Sequence, residues 1–485
     1  MTTAVQTNVE TIAADPPATT DLFGQPRGLT VLAATQFWES FSLYGMQALL
    51  VLYMVDQLLM PGHIEKIAGF AATRAAIESV TGPLSTQALA VQLFGLFAGL
   101  ARFTPVFGGY IGDRLLGRRR MVAIGALLMT AGHFCMAFDV TFLLALLLLV
   151  LGTGAMNSNL FSQVGSLYHA TDRRRDDGLQ LYYLALNIGA FVAPIACGWL
   201  GQEFNWHIAF AAAGVGMLFG LIVYLAGSRH EPADPPRIMA VARARLLPFE
   251  RRAVGLLLAL MLVSALFWVA QSQVWNVYNL WVRDHVELSI LGWQMPVPWL
   301  QALDSLAPAM LLPPVLLLWR WQAARGREPD AVTKMAIGCL IFGVGTLWLA
   351  AATIVFPTGR VPLLWAVGFH FLSNAGWVFF VPIAVGLYGR AAPRSLNAMM
   401  IGINSMSVFI GSTASGRIGG LYEVLSPARF WLLHAAIVGG GALLFLALRP
   451  AVRRMLAQAD DPAPFNMAAA AGTANDVRGG KETSI

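Results

Sequence analysis

The stretch GGYIGDRLLGRRRMVAIG, residues 108–125, follows one long apolar run and opens another. Paired glycines, Gly108 and Gly109, lead to Asp113 and Arg114. Gly117 then precedes three successive arginines, Arg118, Arg119 and Arg120. Apolar sequence on both sides makes this a tight polar hairpin between two membrane helices. Small residues let helix backbones approach closely, Asp113 can hold arginines or cap a helix N-terminus, and clustered arginines hold a short loop on the cytoplasmic side. Such a loop suits a gate that slides or locks. An ordinary basic loop would need the arginines but neither the paired glycines nor the aspartate.

The composition places the rest of the chain in the same setting. Of 485 residues, 57% are hydrophobic and 12% charged, and the mean hydropathy is +0.63. That is far too apolar for an ordinary soluble domain and describes a multi-pass membrane protein surrounded by lipid. The net charge of +6 resides in short loops, so it reports orientation in the bilayer and implies no nucleic-acid groove. Cys135, Cys197 and Cys339 lie in apolar segments without metal-ligand spacing and read as packing residues. No nucleophile–base arrangement or phosphate-binding glycine order stands out. The sequence therefore predicts neither an enzyme nor a bound metal or cofactor.

Twelve segments are long enough to cross a hydrocarbon core of about 30 Å. In the first half they run 29–59, 87–112, 121–138, 141–168, 179–199 and 206–226; in the second, 254–282, 299–318, 335–355, 362–388, 396–422 and 430–448. Residues 1–28 lack a secretory signal pattern and read as a disordered tail, as do residues 449–485. The polar, proline-bearing stretch 228–253 separates a bundle over 29–227 from one over 254–448. Of the 32 Lys and Arg, Lys66, Arg74, Arg283, Arg360 and Arg429 fall in odd-numbered loops, Arg102 and Arg417 within spans, and the other 25 in the tails and even-numbered loops. Both termini should be cytoplasmic, in a bacterial-type inner membrane. Ala123-Ile124-Gly125 and Ala336-Ile337-Gly338 occupy corresponding places after the second and eighth spans, as expected if a six-helix unit was duplicated in parallel. The fold class is all-α integral membrane, two six-helix bundles in one chain, acting as a monomer.

Charged groups within spans need a partner or a wet cavity. Gln36, Glu39, Ser40, Tyr44 and Gln47 share much of one face of the first span. Arg102 in the second span is the expected buried partner of Glu39. The seventh span carries Ser272, Gln273, Asn276 and Asn279, the fourth Asn157, Asn159, Ser162 and Gln163, the fifth Tyr182, Tyr183 and Asn187, and the tenth His370, Ser373, Asn374 and Trp377. Together they would line a cavity between the bundles. The competing reading is that they only join helices, at about 0.6 kcal/mol per interhelical hydrogen bond. Glu39 is the one carboxylate near mid-span, with Asp56 and Asp304 nearer span ends, and His370 is a lone histidine able to titrate.

The loop GGYIGDRLLGRRR resembles the signature loop of the major facilitator superfamily, in the form seen in the proton-dependent oligopeptide transporter family. FWESFSLYGMQALLVLY, LYYLALNIGAFVAPIACGWLG and WNVYNLWVRDHVELSILG extend the likeness over most of the chain. The resemblance implies transport of small peptides or peptide-like solutes by alternating access, coupled to protons. It also implies a peptide carboxylate held by basic residues of the first bundle and an amino group held by a glutamate of the tenth span. Here those positions depart from the family. Its two glutamates and arginine of the first span are Gln36, Glu39 and Ser40; its paired tyrosines are Leu43 and Tyr44, and the arginine after them is Gln47. The second-span tyrosine is Arg102 and the fourth-span lysine Asn157. Asn187 and Gln273 are kept, an acidic residue becomes Ser272, an asparagine becomes Asp304, and the tenth-span glutamate becomes Trp377. The site is thus more neutral and more aromatic than the family's. A carrier or exporter of another organic solute with weak proton coupling, or a non-transporting receptor or scaffold, are the alternatives; retention of the gating loop speaks against the last.

Overall fold

A computed structural model describes residues 24–169, 171–231, 234, 246–393 and 396–459. The expectations for residues 1–23, most of the loop 232–245 and residues 460–485 lie outside the described residues. The chain is helical almost throughout. In order, the helices are α1 (Arg27–Tyr53), α2 (Phe70–Thr81), α3 (Thr86–Ile111), α4 (Arg118–Cys135), α5 (Phe142–Ser166), α6 (Arg174–Glu203) and α7 (Trp206–Gly227). They continue with α8 (Pro248–Gln273), α9 (Val277–His285), α10 (Leu303–Ala324), α11 (Ala331–Val355), α12 (Leu363–Ala391), α13 (Asn397–Gly419) and α14 (Pro427–Ala459). Among the described residues, nine helical segments are long and apolar enough to cross a membrane by length and composition. Of the remaining long helices, α1 carries a polar stripe, α4 opens on three arginines and α13 is rich in Ser, Gly and Asn.

Two sets of helices repeat one packing pattern. In the first, α1 packs on α6 and α7, α4 on α5 and α7, and α3 on α5. In the second, α8 packs on α13 and α14, α11 on α12 and α14, and α10 on α12. The repeated Ala-Ile-Gly marks equivalent crossings. A methyl group at Gly125 would come within 2.7 Å of the Gly152 carbonyl oxygen of α5, and one at Gly338 within 2.8 Å of the Gly376 carbonyl oxygen of α12.

The boundaries differ from the sequence reading in four places, each with a local cause. The loop after α1 contains the short helix α2, whose Arg74–Glu78 ion pair spans one turn and whose ends are set by Gly69 and Gly82, both at φ +76°. The seventh span is not continuous. It breaks between α8 and α9, where Gln301 Nε2 donates to the Val274 carbonyl at 2.7 Å and Asn276 Nδ2 to the Val91 carbonyl at 3.0 Å. A two-residue hairpin pairs Ser289–Ile290 with Trp293–Gln294 in the loop that follows. Finally, α14 runs through Arg449 to Ala459, so residues 449–459 are helix where a disordered tail was expected. Arg449 Nε holds Asp330 Oδ2 at 2.6 Å, fixing that extension to the start of α11.

The two sets touch along the side that carries the loops after α1 and α9. There Asp56 pairs with Arg283 and Ser85 hydrogen-bonds Glu423. Gln202 Nε2 donates to the Gln294 carbonyl at 2.7 Å and Trp299 Nε1 to the Ile195 carbonyl at 3.0 Å. The α3–α13 seam continues through Gly95 against Gly416 to a stacked Phe103–Phe409 pair with ring centres 5.0 Å apart. Beyond that pair, towards the side carrying the start of α1 and the end of α14, Val106, Phe107 and Tyr110 of α3 are exposed.

The tightest approach between helices leads into the arginine-rich loop. A methyl group on Gly108 would stand 1.9 Å from the Gly154 backbone oxygen, whereas one on Gly109 would meet only the Ser158 side chain, its oxygen at 3.1 Å and its Cβ at 3.4 Å. Gly108→Ala should therefore cost stability in the range of about 1–3 kcal/mol typical of overpacking, and Gly109→Ala should be nearly neutral. Thermal unfolding of the two variants in detergent checks this, and equal midpoints would show that the α3–α5 contact is not as close as described.

Candidate functional site

The arginine-rich loop is built from α3, a π-type turn over Gly112–Leu116 and the start of α4. Asn159 of α5 fastens its first half, donating from Nδ2 to the Gly108 carbonyl at 2.9 Å and to Ala155 at 2.8 Å. Gly117 turns the chain at φ +87°, ψ 149°, a region open only to glycine. Asp113 Oδ1 takes Arg118 Nε at 2.7 Å, Arg118 Nη1 reaches Ser166 Oγ at 3.1 Å, and Arg114 lies over the Tyr110 ring. The Arg118 and Arg119 backbone amides both donate to Asp234 Oδ1, at 2.9 and 3.3 Å. Arg119 also bonds the Glu231 carbonyl, and its Nε stands 3.7 Å from Glu231 Oε2. The loop is thus closed onto α5 and onto the segment after α7, and Arg120 lines the same small cleft with Asp113 and Asp234.

Glu231 is the charged group most affected by this arrangement. Burial beneath the loop pushes its carboxyl up from 4.5 to about 7, against the lowering influence of Tyr224 and Arg119. An unfolded chain then loses this proton at lower pH than the folded one, so folding is penalised progressively as pH rises from 4.5 through about 7. Glu231→Gln should raise the unfolding midpoint relative to the parent at pH 8 and leave it unchanged near pH 4.5. A gain of the same size at both values would remove the titration as its cause.

Among the membrane-span candidates, Glu39 is buried, at 2% exposed. The expected Glu39–Arg102 ion pair is not made. Gln36 Nε2 donates to Glu39 Oε2 at 2.8 Å, with Ser40 Oγ 3.4 Å away, and Tyr182 of α6 donates to Gln36. Two neighbours on the same helix satisfy that oxygen without ordering a residue on α3. Asn157 also stands near the carboxylate. Arg102 is exposed, one turn beyond Gly99 and next to Phe103 at the α3–α13 seam, with Tyr44 beside it. Tyr44 in turn meets Trp275 across the two sets, ring centres 5.5 Å apart. Asn187 is exposed on α6, its amide donating to the Tyr183 carbonyl at 2.8 Å, and Trp377 is half-buried on α12. Arg102, Tyr44 and Asn187 therefore lie at or near the open part of the interface.

Several other candidates join helices instead. Gln273 Nε2 is spent on the Ser415 carbonyl at 2.9 Å, and Ser272 shares a hydrogen bond with Ser412 at 2.8 Å, both holding α8 to α13. Asn279 accepts from Gln301 at 2.5 Å, supporting the α8–α9 break. Gln163 bonds Tyr224 at 2.8 Å. Gln47 is 7% exposed in the α1 core. Asp304 does not stand alone: its Oδ1 accepts from Asn374 Nδ2 at 2.9 Å and lies 2.8 Å from His370 Nδ1. The sequence reading also missed a cluster on the side of the loop after α1. There Asp139 accepts from Tyr53 at 2.9 Å and meets His63 at 2.6 Å, and those bonds hold its carboxyl below the usual range although burial acts the other way. Its residues come from separate loops and helix ends, which share no periodic signal.

With the geometry described, comparison with known proteins decides the family. The POT family model (PTR2) matches residues 119–249 and 236–432. The chain belongs to the POT family. Its relatives include the peptide transporter YePEPT of Yersinia enterocolitica, 27% identical with 91% of this chain and 97% of that protein covered. A di-/tripeptide transporter of Lactococcus lactis is 26% identical, with 89% and 97% covered. The crystal structure of a peptide transporter POT in complex with sulfate superposes with a TM-score of 0.79 over 90% of this chain and 96% of that one; at 24% identity it speaks for the fold. This POT-family chain is a multi-pass membrane transporter with the major facilitator fold, and it is not an enzyme.

Proposed function

We propose that this POT-family chain carries small peptides or peptide-like solutes across the membrane by alternating access, driven by protons, with each monomer holding a complete pathway. The observation that carries the reading is the one-sided closure of the interface. Hydrogen bonds and ion pairs between the two sets cluster on one side, while Arg102, next to the α3–α13 seam, and Asn187 of α6 are exposed. A carrier caught open to one side has this form, and the named relatives supply the solute class. Arg102 beside Tyr44 would hold the solute's carboxylate, and Asp304 is the acidic group in the second set. Glu39 and the Asp304–His370 pair are the candidates for the transported proton.

The arginine-rich loop is the proposed gating element. Asp113 and Arg118 are 52% and 19% exposed, so their bond should contribute at most about 1 kcal/mol to stability. In proteoliposomes, wild-type protein should accumulate di- and tripeptides faster under an inward proton gradient. Asp113→Asn should slow that uptake while moving the unfolding midpoint little. No uptake of any peptide across a panel would reject the solute class, and an equal loss of folding and transport in Asp113→Asn would reject the gating role.

The basic-residue asymmetry supports a cytoplasmic position for both termini and the loop after α7. Reporter fusions after Gln458 and at Asp234 should both register inside, and an outside signal from either overturns the proposed orientation.

A further inference from the structure

His370 and Asp304 come from different helices, α12 and α10, and meet in the interior. The His370 side chain is fully buried and that of Asp304 is 10% exposed. Asp304 Oδ1 takes both available contacts, from His370 Nδ1 and Asn374 Nδ2, while Asp304 Oδ2 and His370 Nε2 are buried with no hydrogen-bond partner. Among the described residues no Lys or Arg pairs with Asp304. The further titratable group facing the pair is Tyr278 of α9, whose ring stands edge-on to the imidazole at 5.1 Å and whose hydroxyl donates to the Ala366 carbonyl at 3.2 Å. Phe369 adds an apolar wall.

We propose that Asp304 and His370 form the proton-binding site of the carrier, with Asn374 fixing the carboxylate. This deepens the proton-driven reading given above and rests on it. One proton, taken from water on the open side, converts the pair from carboxylate and neutral imidazole, net charge −1, to carboxylate and imidazolium, net charge zero. In a buried site without another cation the two states differ greatly in how well they tolerate exclusion of water. The difference is felt across two helices because the bond spans α10 and α12.

The backbone at this point is suited to respond. Residue 308 of α10 is proline, so the Asp304 carbonyl lacks the amide donor that a regular helix would supply four residues on. Pro313 and Pro314 follow in the same helix. Thus α10 has a weak point at the residue that carries the carboxylate, where helices commonly bend. Glu39 differs in this respect, because Gln36 and Ser40, which hold its carboxylate, belong to its own helix. Asn157 of α5 stands near that carboxylate as well, but the closest bonds there lie within one helix.

The first test needs no solute. With ¹⁵N-histidine in lipid nanodiscs, the His370 resonances, assigned by difference from His370→Gln, should change from the neutral to the doubly protonated pattern as the pH is lowered. Asp304→Asn should displace that change. If His370→Gln does not fold, Asp304→Glu, which keeps a carboxylate, provides the assignment. A His370 signal in one protonation state throughout overturns the proposal. The second test uses proteoliposomes and the tripeptide trialanine. His370→Gln and Asp304→Asn should each lower gradient-driven accumulation about tenfold, within the range typical of coupled sites, and keep trialanine counterflow. The double variant should be no worse than either single one. Uphill accumulation that survives both substitutions overturns the proposal and leaves the proton to Glu39. Absence of trialanine transport by the wild type rejects the peptide reading, and the resonance titration still decides the proton site.

Discussion

The exclusion of water from the membrane interior governs this structure, because a polar group placed there must find a partner within the protein. Most polar side chains in the spans obey by joining helices. Gln273 and Ser272 hold α8 to α13, Asn159 holds α5 under the glycine-rich end of α3, and Gln301 with Asn276 secures the broken backbone between α8 and α9. Not every buried polar atom is satisfied in this way. Glu39 Oε1, Asp304 Oδ2 and His370 Nε2 are among those left buried and unpartnered, and they belong to groups whose charge can change.

The same constraint explains which parts of the fold were legible in the sequence. Long apolar runs separated by basic loops can only be helices crossing lipid, and the glycines near Asp113 announced close backbone contact, which Gly108 makes with Gly154. The faint Ala-Ile-Gly repeat was legible for a similar reason. Each of its glycines sits at a helix crossing where a side chain would strike a backbone oxygen, so the repeat records packing. By contrast, the break in the seventh span left no apolar interruption, since Val274, Trp275 and Asn276 could all continue a helix. The partner that stabilises it, Gln301, lies 27 residues away.

The site was harder to read because spacing along one helix shows which residues share a face, but not what that face meets. Glu39 and Arg102 were matched by charge across two spans. In the fold, Gln36 and Ser40 reach the carboxylate first from its own helix, where no second element has to be ordered. At His370 it was the partner that the sequence did not show. As an isolated histidine it offered no pattern, and its partner lies 66 residues distant on a helix that the family resemblance associates with an uncharged amide. Only the pairing of α10 with α12 brings the two together.

What remains of the charged site is then distributed unlike that of the family it resembles. The first set keeps a cation at Arg102, but on α3 and at the edge of the seam, with Tyr44 rather than a glutamate beside it. The second set has exchanged the expected glutamate of α12 for Trp377 and gained a carboxylate on α10 whose oxygen is already engaged by His370 and Asn374. A solute amino group approaching Asp304 meets a carboxylate whose free oxygen is buried, so it could bind there only if α10 moved. The missing amide donor at Pro308 puts a weak point in α10 beside this carboxylate, where such a movement could be taken up. Solute contact and proton binding would then act on one helix, and a helix to which proton and solute each have access is the minimum that coupling between them requires.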